Sequence, residues 1–380
     1  MNRSVAYFRG DFSRPSERFV TAPLPYLNAW RPILVGWRGT PGAHGVPSER
    51  CVFYQDLPRS GPLYKLLWRL GYHPPAGVAR LRRERVCLCH AHFGEDGAIA
   101  LPLAQRLGIP LVVSFYGQDV TRLPTWRTGK PAWLHYWLTF GRLREQAVLA
   151  LAYCRFLADR LVTLGWPAER IRVHYPGVAL PEAPLWHRRS RLVLAIGRLV
   201  EKKGFDTLLE ATAVLANQGL EPRVAILGDG PLRKHLQALA VRRGLSRVVT
   251  FCGWVSPAEL PAWYERAALL VAPSKRSGDG DMEGLPTVLV EAAANGIPLI
   301  GTSHAGIPEI VRNGESGLLV PEQNPDALAA AMRVMLGDEE LRARCGASAR
   351  RLVSAEFRIE TQASILERVY DEVCQRSGIK

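Results

Sequence analysis

Along the second half of the chain, apolar and polar positions alternate between two rhythms. RLVLAIG (191–197) is a continuous apolar run of strand length, and FDTLLEATAVLANQG (205–219) repeats its apolar residues at helical spacing before closing on glycine. PRVAILG (222–228) and PLRKHLQALAVRRGL (231–245) repeat the pair, with Pro231 expected in the first helical turn. VVTFCG (248–253), AALLVAPS (267–274) and PLIGT (298–302) continue as strands, separated by helices over SPAELPAWYERA (256–267) and PTVLVEAAANG (286–296). Buried strands each followed by a helix predict a parallel sheet covered on both faces.

The first half follows the same scheme less regularly. SVAYFRG (4–10), VCLCHAHFG (86–94) and PLVVSFYG (110–117) are expected strands, with a helix over IALPLAQRLGI (99–109). From 165 to 190 helical patterning gives way to a segment rich in Pro, Arg and Gly, and the interdomain linker is expected near 178–190. The reading is an α/β chain of two doubly wound, Rossmann-like domains: 1–180, 181–355, and a last helical segment, 356–380, able to pack back on the first domain. Ligands are expected at the carboxyl ends of the strands.

Composition adds four limits. At 380 residues the chain is too long for one ordinary core, and no apolar run approaches the length of a membrane span. The N-terminus has no basic-then-apolar leader pattern, which predicts a cytoplasmic location, and seven cysteines without framework spacing predict reduced thiols. Charge is uneven. Residues 1–190 hold 26 Lys and Arg against 12 Asp and Glu, while residues 191–380 hold 23 of each. Eight of the ten tryptophans, at 30, 37, 68, 126, 133, 137, 166 and 186, share the basic half. A basic, aromatic face suits an anionic membrane or nucleic acid; a solvated surface over core tryptophans explains it too.

Candidate chemistry lies mainly in three stretches of the second half. In GRLVEKKGFD (197–206), Gly197 ends a strand, Arg198, Lys202 and Lys203 follow, and Gly204 precedes a helix. A strand, a loop and a helix N-terminus form an anion site, though a solvated basic loop reads equally well. In LGDGPLR (227–233), Gly228 and Gly230 allow a close backbone approach to a ligand, as an ordinary tight turn also would. Neither the dinucleotide glycine pattern nor a P-loop occurs. In DMEGLPTVLVEAAAN (281–295), Pro286 is expected at the first helical position, leaving Glu283 in the loop before it and Glu291 in the second turn. The amides of Gly284 and Leu285 lie between. A phosphate held there would be bracketed by two carboxylates, each able to accept hydroxyl hydrogen bonds: the layout of a sugar diphosphonucleoside.

These motifs, in this order, resemble the retaining glycosyltransferases of family 4 with the GT-B fold, whose two domains face a cleft. The likeness is close over about 190–330 and looser elsewhere. It implies that Glu283 contacts the donor sugar and Glu291 the ribose, while Arg198 and Lys203 neutralise the diphosphate in place of a metal. It implies no cofactor: the donor is a nucleotide sugar such as a UDP or GDP sugar, bound also by Gly197, Gly228, Gly230, Gly284, Leu285 and Pro286. SRPSERFV (13–20), HAHFGEDGAIA (90–100) and SFYGQDVT (114–121) are similar to the exopolysaccharide enzymes of the colanic acid and amylovoran type. By that pattern His92 joins the catalytic set, and Phe93, Gly94, Tyr116, Gly117 and Asp119 form the acceptor side for a glycan or polyprenyl-linked acceptor. Tyr116 stands where the family has histidine, and Cys154 where it has serine.

Three further features have two readings each. CLCHAHF (87–93) and Asp279-Gly280-Asp281 resemble metal-ligand spacings, but strand alternation splits the first and the second sits in a polar loop, so no metal is expected. Trp133, Tyr136, Trp137 and Phe140 form a helical stripe that either packs in the core or dips into a membrane interface, a reading that LYKLLWRLGYHPP (63–75) and ARLRRERV (79–86) support. Competing functions are a nucleotide-sugar epimerase or phosphorylase on the same fold, and a non-catalytic membrane or nucleic-acid binder. No pyridoxal lysine motif favours a phosphorylase, and the intact Arg, Lys and Glu set opposes a dead site. Nucleic acid is not the expected partner; a peripheral place on the inner membrane face is.

Overall fold

A computed structural model describes residues 3–14, 17–56, 61–123, 131–187 and 191–378, with only the backbone of 131 and 132. Pro15, Ser16, Trp126, Lys130 and the expected end of the linker at 188–190 lie outside the described residues. The chain divides into two compact units, one of 1–177 with 359–380 and one of 178–358.

The first unit is built on seven strands: β1 (Arg3–Phe8), β2 (Trp30–Gly36), β3 (Cys51–Phe53), β4 (Val86–His92), β5 (Leu111–Phe115), β6 (Leu149–Ala152) and β7 (Ile171–Val173). They pair in parallel in the order β3-β2-β1-β4-β5-β6-β7. The second unit has six: β8 (Leu192–Ile196), β9 (Arg223–Leu227), β10 (Val249–Gly253), β11 (Ala267–Ala272), β12 (Leu299–Thr302) and β13 (Gly317–Val320). These are parallel too, ordered β10-β9-β8-β11-β12-β13. Both sheets build outward from their first strand and then restart on its other side. The reversal, between β1 and β4 and between β8 and β11, opens a crevice at the carboxyl ends where ligands bind in such folds.

Packing follows the patterns that predicted it. In the second unit Leu208, Leu209, Ala211 and Leu215 of the helix Phe205–Asn217 are buried with Val193, Ala195 and Leu269 of the sheet. Each such leucine contributes about 1.5–3 kcal/mol. The helix Ile359–Arg376 returns to the first unit, where Leu366, Val369 and Tyr370 pack on Val5, Trp30 and Leu88. Glu367 Oε1 there accepts the Ala29 and Trp30 N–H groups at 2.7 and 3.1 Å.

Several expected boundaries move. The helix expected over 99–109 begins at Gly94, directly off β4, and ends at Gly108 in the left-handed region. Pro286 is not the first helical residue: with ψ 112° it is the extended cap of the helix Thr287–Ala294. Pro231 also precedes its helix, Arg233–Arg242, because the Leu232 N–H donates to Leu199 O at 3.0 Å and ties that turn to the neighbouring loop. β2, β3, β6, β7 and β13 had no expectation. Pro32 argues against a strand within β2, and β3 and β7 are three residues each. The aromatic stripe divides: on the helix Pro131–Gln146, Tyr136 and Phe140 are buried, while Trp137 is exposed beside Leu134 and Leu138.

Candidate active site

In the second unit three backbone segments meet at the switch point. β8 ends at Ile196, and Gly197 leads into the loop carrying Arg198, Lys202 and Lys203. The loop after β9, with Gly228 and Gly230, lies against it: the Leu199 N–H donates to Asp229 O at 2.9 Å, and a Cβ on Gly228 would stand 1.9 Å from Gly197 O. Only glycine allows that approach. The third segment, 273–286, joins β11 to the helix Thr287–Ala294. It is anchored where the Lys275 N–H donates to Lys202 O at 2.9 Å, and where Gly204, at φ +63°, would set a Cβ 1.8 Å from Pro273 O.

Glu283 lies in this third segment, buried, with Lys203 Nζ 3.2 Å and Lys202 Nζ 4.0 Å from its Oε1. Lys202 also reaches Asp281 Oδ1 at 3.2 Å and Met282 O at 3.3 Å. Burial pushes the Glu283 carboxyl up, but the charges of Lys202 and Lys203 outweigh it and hold it at about 2. Burial likewise lowers Lys202, and Glu283 with Asp281 reverses this, so its ammonium titrates above the usual lysine range. Glu283 and Lys202 are therefore both ionised at neutral pH.

Gly284 and Leu285 follow directly and are buried. Among the described residues neither N–H has a hydrogen-bond partner. Buried backbone donors are normally paired, so two unpaired in succession, next to a lysine-held carboxylate and before a helix N-terminus, mark a place for an anion. Arg198 is exposed and forms no ion pair among the described residues. Glu291 stands in the second turn of the helix, where its Oε2 accepts the Tyr264 hydroxyl at 3.0 Å. Behind Glu283, its N–H donates to His304 Nε2 at 3.1 Å, and His304 Nδ1 is 2.7 Å from Glu322 Oε1. The Asp279-Gly280-Asp281 carboxylates are both engaged: Asp279 Oδ1 accepts the Ser277 hydroxyl at 2.6 Å and Asp281 pairs with Lys202.

The switch point of the first unit is aromatic and buried. His92 ends β4, with Nδ1 2.5 Å from the Tyr116 hydroxyl and its ring centroid 4.0 Å from that of Tyr7. Its burial, then the charges of His90 and Arg9, push it well below the usual histidine range, so the ring is neutral. Its Nε2 is buried without a partner among the described residues. Phe93, at φ +73°, turns the chain into the helix Gly94–Leu107 and lies 4.2 Å beneath the Arg9 guanidinium. Arg9 pairs with Asp96 and, at 2.6 Å, with Glu17. Asp119 Oδ atoms accept the N–H groups of Gly94, Tyr116 and Gly117 at 2.9–3.3 Å. Burial raises Asp119 to about 6 against those bonds. Glu95 is raised by burial, then by Asp119 and Asp96, to about 8. Thus His92, Phe93, Gly94, Tyr116, Gly117 and Asp119 do come together, as a packed cluster more than a row of exposed contacts.

Comparison with known proteins places this fold and these motifs. The family model described as glycosyl transferases group 1 matches residues 180–352, and that of glycosyltransferase family 4 matches residues 31–181. A GDP-mannose-dependent alpha-(1-6)-phosphatidylinositol monomannoside mannosyltransferase of Mycobacterium tuberculosis is 36% identical over 327 residues, 79% of this chain and 82% of that protein. WcaL of Salmonella typhimurium, named for glycosyl transfer in colanic acid biosynthesis, is 35% identical over 251 residues, 64% of this chain. The match spans 59% of WcaL, less than two thirds of its length. The crystal structure of HepE from Anabaena with UDP and glucose covers 98% of this chain and 100% of that one, with a TM-score of 0.77 at 19% identity, a likeness of fold. The chain belongs to glycosyltransferase family 4. Its fold class is GT-B, and the resemblance to the colanic acid enzymes holds.

Sequence reasoning passed over Arg9, Tyr264, His304 and Glu322. Three of them share a signal that could have found them. Arg9, His304 and Glu322 lie one or two residues past the carboxyl ends of β1, β12 and β13, where α/β sheets place their ligand-side residues. Tyr264 carried no signal of its own, since it is one aromatic among several on a short helix.

Proposed function

We propose that this chain is a retaining, metal-independent transferase that moves a hexosyl residue from a nucleotide-diphosphate sugar to a glycan or polyprenyl-linked acceptor in surface polysaccharide synthesis. One observation carries it: the buried residues Gly284 and Leu285 present two N–H groups without a partner among the described residues, immediately beside a Glu283 that two lysines keep ionised. A diphosphate is the dianionic group that would satisfy those donors together with Lys203 and Arg198, which forms no ion pair among the described residues. As the glycosidic bond breaks, negative charge grows on the leaving diphosphate, and fixed cations and amides that stabilise it there supply the main catalytic effect. Glu283 then accepts hydroxyl hydrogen bonds from the sugar and Glu291 from the ribose. With no carboxylate assigned as nucleophile, the substitution runs on the face of the departing phosphate. In the first unit His92, neutral and with an Nε2 that has no partner among the described residues, is the group that would take a hydrogen bond from the acceptor side.

The mannosyltransferase of Mycobacterium tuberculosis is GDP-mannose-dependent, and HepE was solved with UDP and glucose. GDP and UDP, with their sugars, are therefore the donors to try first. The test compares wild type with Glu283→Ala: UDP or GDP binds both, and transfer is lost in the variant. Full transfer by Glu283→Ala removes the assignment.

Anionic membrane is the partner proposed for the first unit, giving a peripheral place on the inner face of the cell membrane. No helix among the described residues is long and apolar enough to cross a membrane. The support is the helix Pro62–Arg69, which buries Trp68 yet leaves Leu63, Leu66, Leu67 and Leu70 36–66% exposed. Their spacing puts the leucines on one face. Lys65 and Arg69 are exposed on the same helix, and Arg82, Arg83 and Arg85 further along. An apolar stripe with basic flanks suits a bilayer surface rich in anionic lipid.

A further inference from the structure

We infer that His304 positions Glu283, acting as a neutral bridge between the backbone of that residue and Glu322. The inference rests on the reading of Glu283 as the donor-sugar contact. His304 is fully buried, and both of its ring nitrogens are occupied. Nε2 stands 3.1 Å from the Glu283 N–H and can only accept from it, so the ring proton is on Nδ1 and is donated to Glu322 Oε1 at 2.7 Å. The other oxygen of Glu322 accepts the Arg276 N–H at 2.8 Å. One carboxylate therefore holds the loop 276–283 at both ends, directly at Arg276 and through the imidazole at Glu283.

Peptide geometry explains why this matters for the site. In a planar trans peptide the N–H and the preceding C=O point in opposite directions. Turning the Glu283 N–H toward His304 turns Met282 O the other way, and there it accepts Lys202 Nζ at 3.3 Å. One residue on, Gly284 O accepts the Gly306 N–H at 3.0 Å, which directs the Leu285 N–H away from that strand end. The turn that provides both contacts is strained: Ala305 sits at φ +47°, an uncommon place for a residue with a Cβ. His304 thus sets the peptide plane that gives Lys202 its carbonyl and fixes the backbone from which the Glu283 carboxylate extends. An imidazolium would offer a second N–H where an acceptor is needed, so only the neutral ring serves.

The test uses the full chain without ligand, with His304→Ala, His304→Gln and Glu322→Gln, and follows amide hydrogen exchange in peptides covering 278–290. The expected result is at least tenfold faster exchange there in His304→Ala, with the rest of the second unit unchanged. A glutamine amide can accept and donate at once, so His304→Gln should recover most of the protection. Unchanged exchange in His304→Ala overturns the inference. So does a rise spread evenly over the unit, which would make His304 ordinary core packing. The second arm measures hydrolysis of UDP-glucose and GDP-mannose together with UDP and GDP affinity. A tenfold fall in kcat with affinity held within threefold, relieved in His304→Gln, supports the positioning role, and an equal loss in both variants opposes it. If Glu283→Ala keeps full transfer while the exchange pattern holds, the donor reading has failed and the bridge itself has not.

Discussion

Replacing Glu283 with glutamine keeps the shape of the side chain and removes its charge, so its effect can be worked from the ion cluster. The carboxyl is held at about 2 against an ordinary 4.5. At about 1.4 kcal/mol per pKa unit, that difference is worth about 3 kcal/mol of stability at neutral pH. The sign follows from the depressed value: the stabilisation is complete above the unfolded value of 4.5 and is lost as pH falls toward 2. Lys202 retains Asp281 at 3.2 Å, while Lys203 loses the only ion-pair partner it has among the described residues. Removing one member of a buried pair typically costs about 3–5 kcal/mol, and the partial exposure of Lys203 puts this case at the lower end. For a unit of this size each kcal/mol shifts the melting temperature by roughly 2–4 °C, so Glu283→Gln should melt roughly 6–12 °C lower at pH 7. The assay is calorimetry of wild type and variant at pH 7 and pH 3, with and without saturating UDP or GDP. The gap should shrink by more than half at pH 3. It should also narrow with nucleotide, because the diphosphate replaces the missing anion beside Lys203, and the variant should bind UDP or GDP several-fold tighter than wild type. A shift below 2 °C at pH 7, or the same shift at both pH values, refutes the reasoning.

Three other outcomes follow from the same structure. Gly204→Ala drives a Cβ into Pro273 O at a left-handed position, and should cost several kcal/mol in urea unfolding and abolish nucleotide binding. Arg198→Met removes an exposed cation with no ion pair among the described residues, so the melting temperature should stay within 1 °C while the Kd for UDP or GDP, measured by titration calorimetry, rises at least tenfold. Leu63→Gln with Leu66→Gln, and separately Arg82, Arg83 and Arg85→Glu, should each reduce co-sedimentation with phosphatidylglycerol vesicles and leave phosphatidylcholine vesicles unaffected. Unchanged binding in both removes the membrane as partner, and a change from dimer to monomer in light scattering would mark the leucine face as a contact between copies.

The parallel sheets were legible because strands covered on both faces are apolar throughout, as AALLVA at 267–272 shows, with all six residues buried. The candidate donor side was legible because its residues are local: Arg198 and Lys203 share one loop, and Glu283 to Glu291 are one short segment. β2 was hidden by Pro32, which a strand tolerates here although its residue pairs with Val5 of β1. The aromatic stripe was misleading for another reason. Periodicity finds a face and does not say what covers it, so Tyr136 and Phe140 went inside while Trp137, on the same helix, stayed out.

The sequence by itself determined the units of structure and the charges available to the site, since both depend on residues near one another along the chain. Tertiary structure alone decided how those charges are used. That Lys203 meets Glu283, that Tyr264 meets Glu291, and that His304 and Glu322 stand behind the loop are contacts between segments 18 to 80 residues apart. The last helix rests on the first unit's core for the same reason. Which segments meet is set by the order of the strands in each sheet, and a parallel sheet does not write that order into any local pattern.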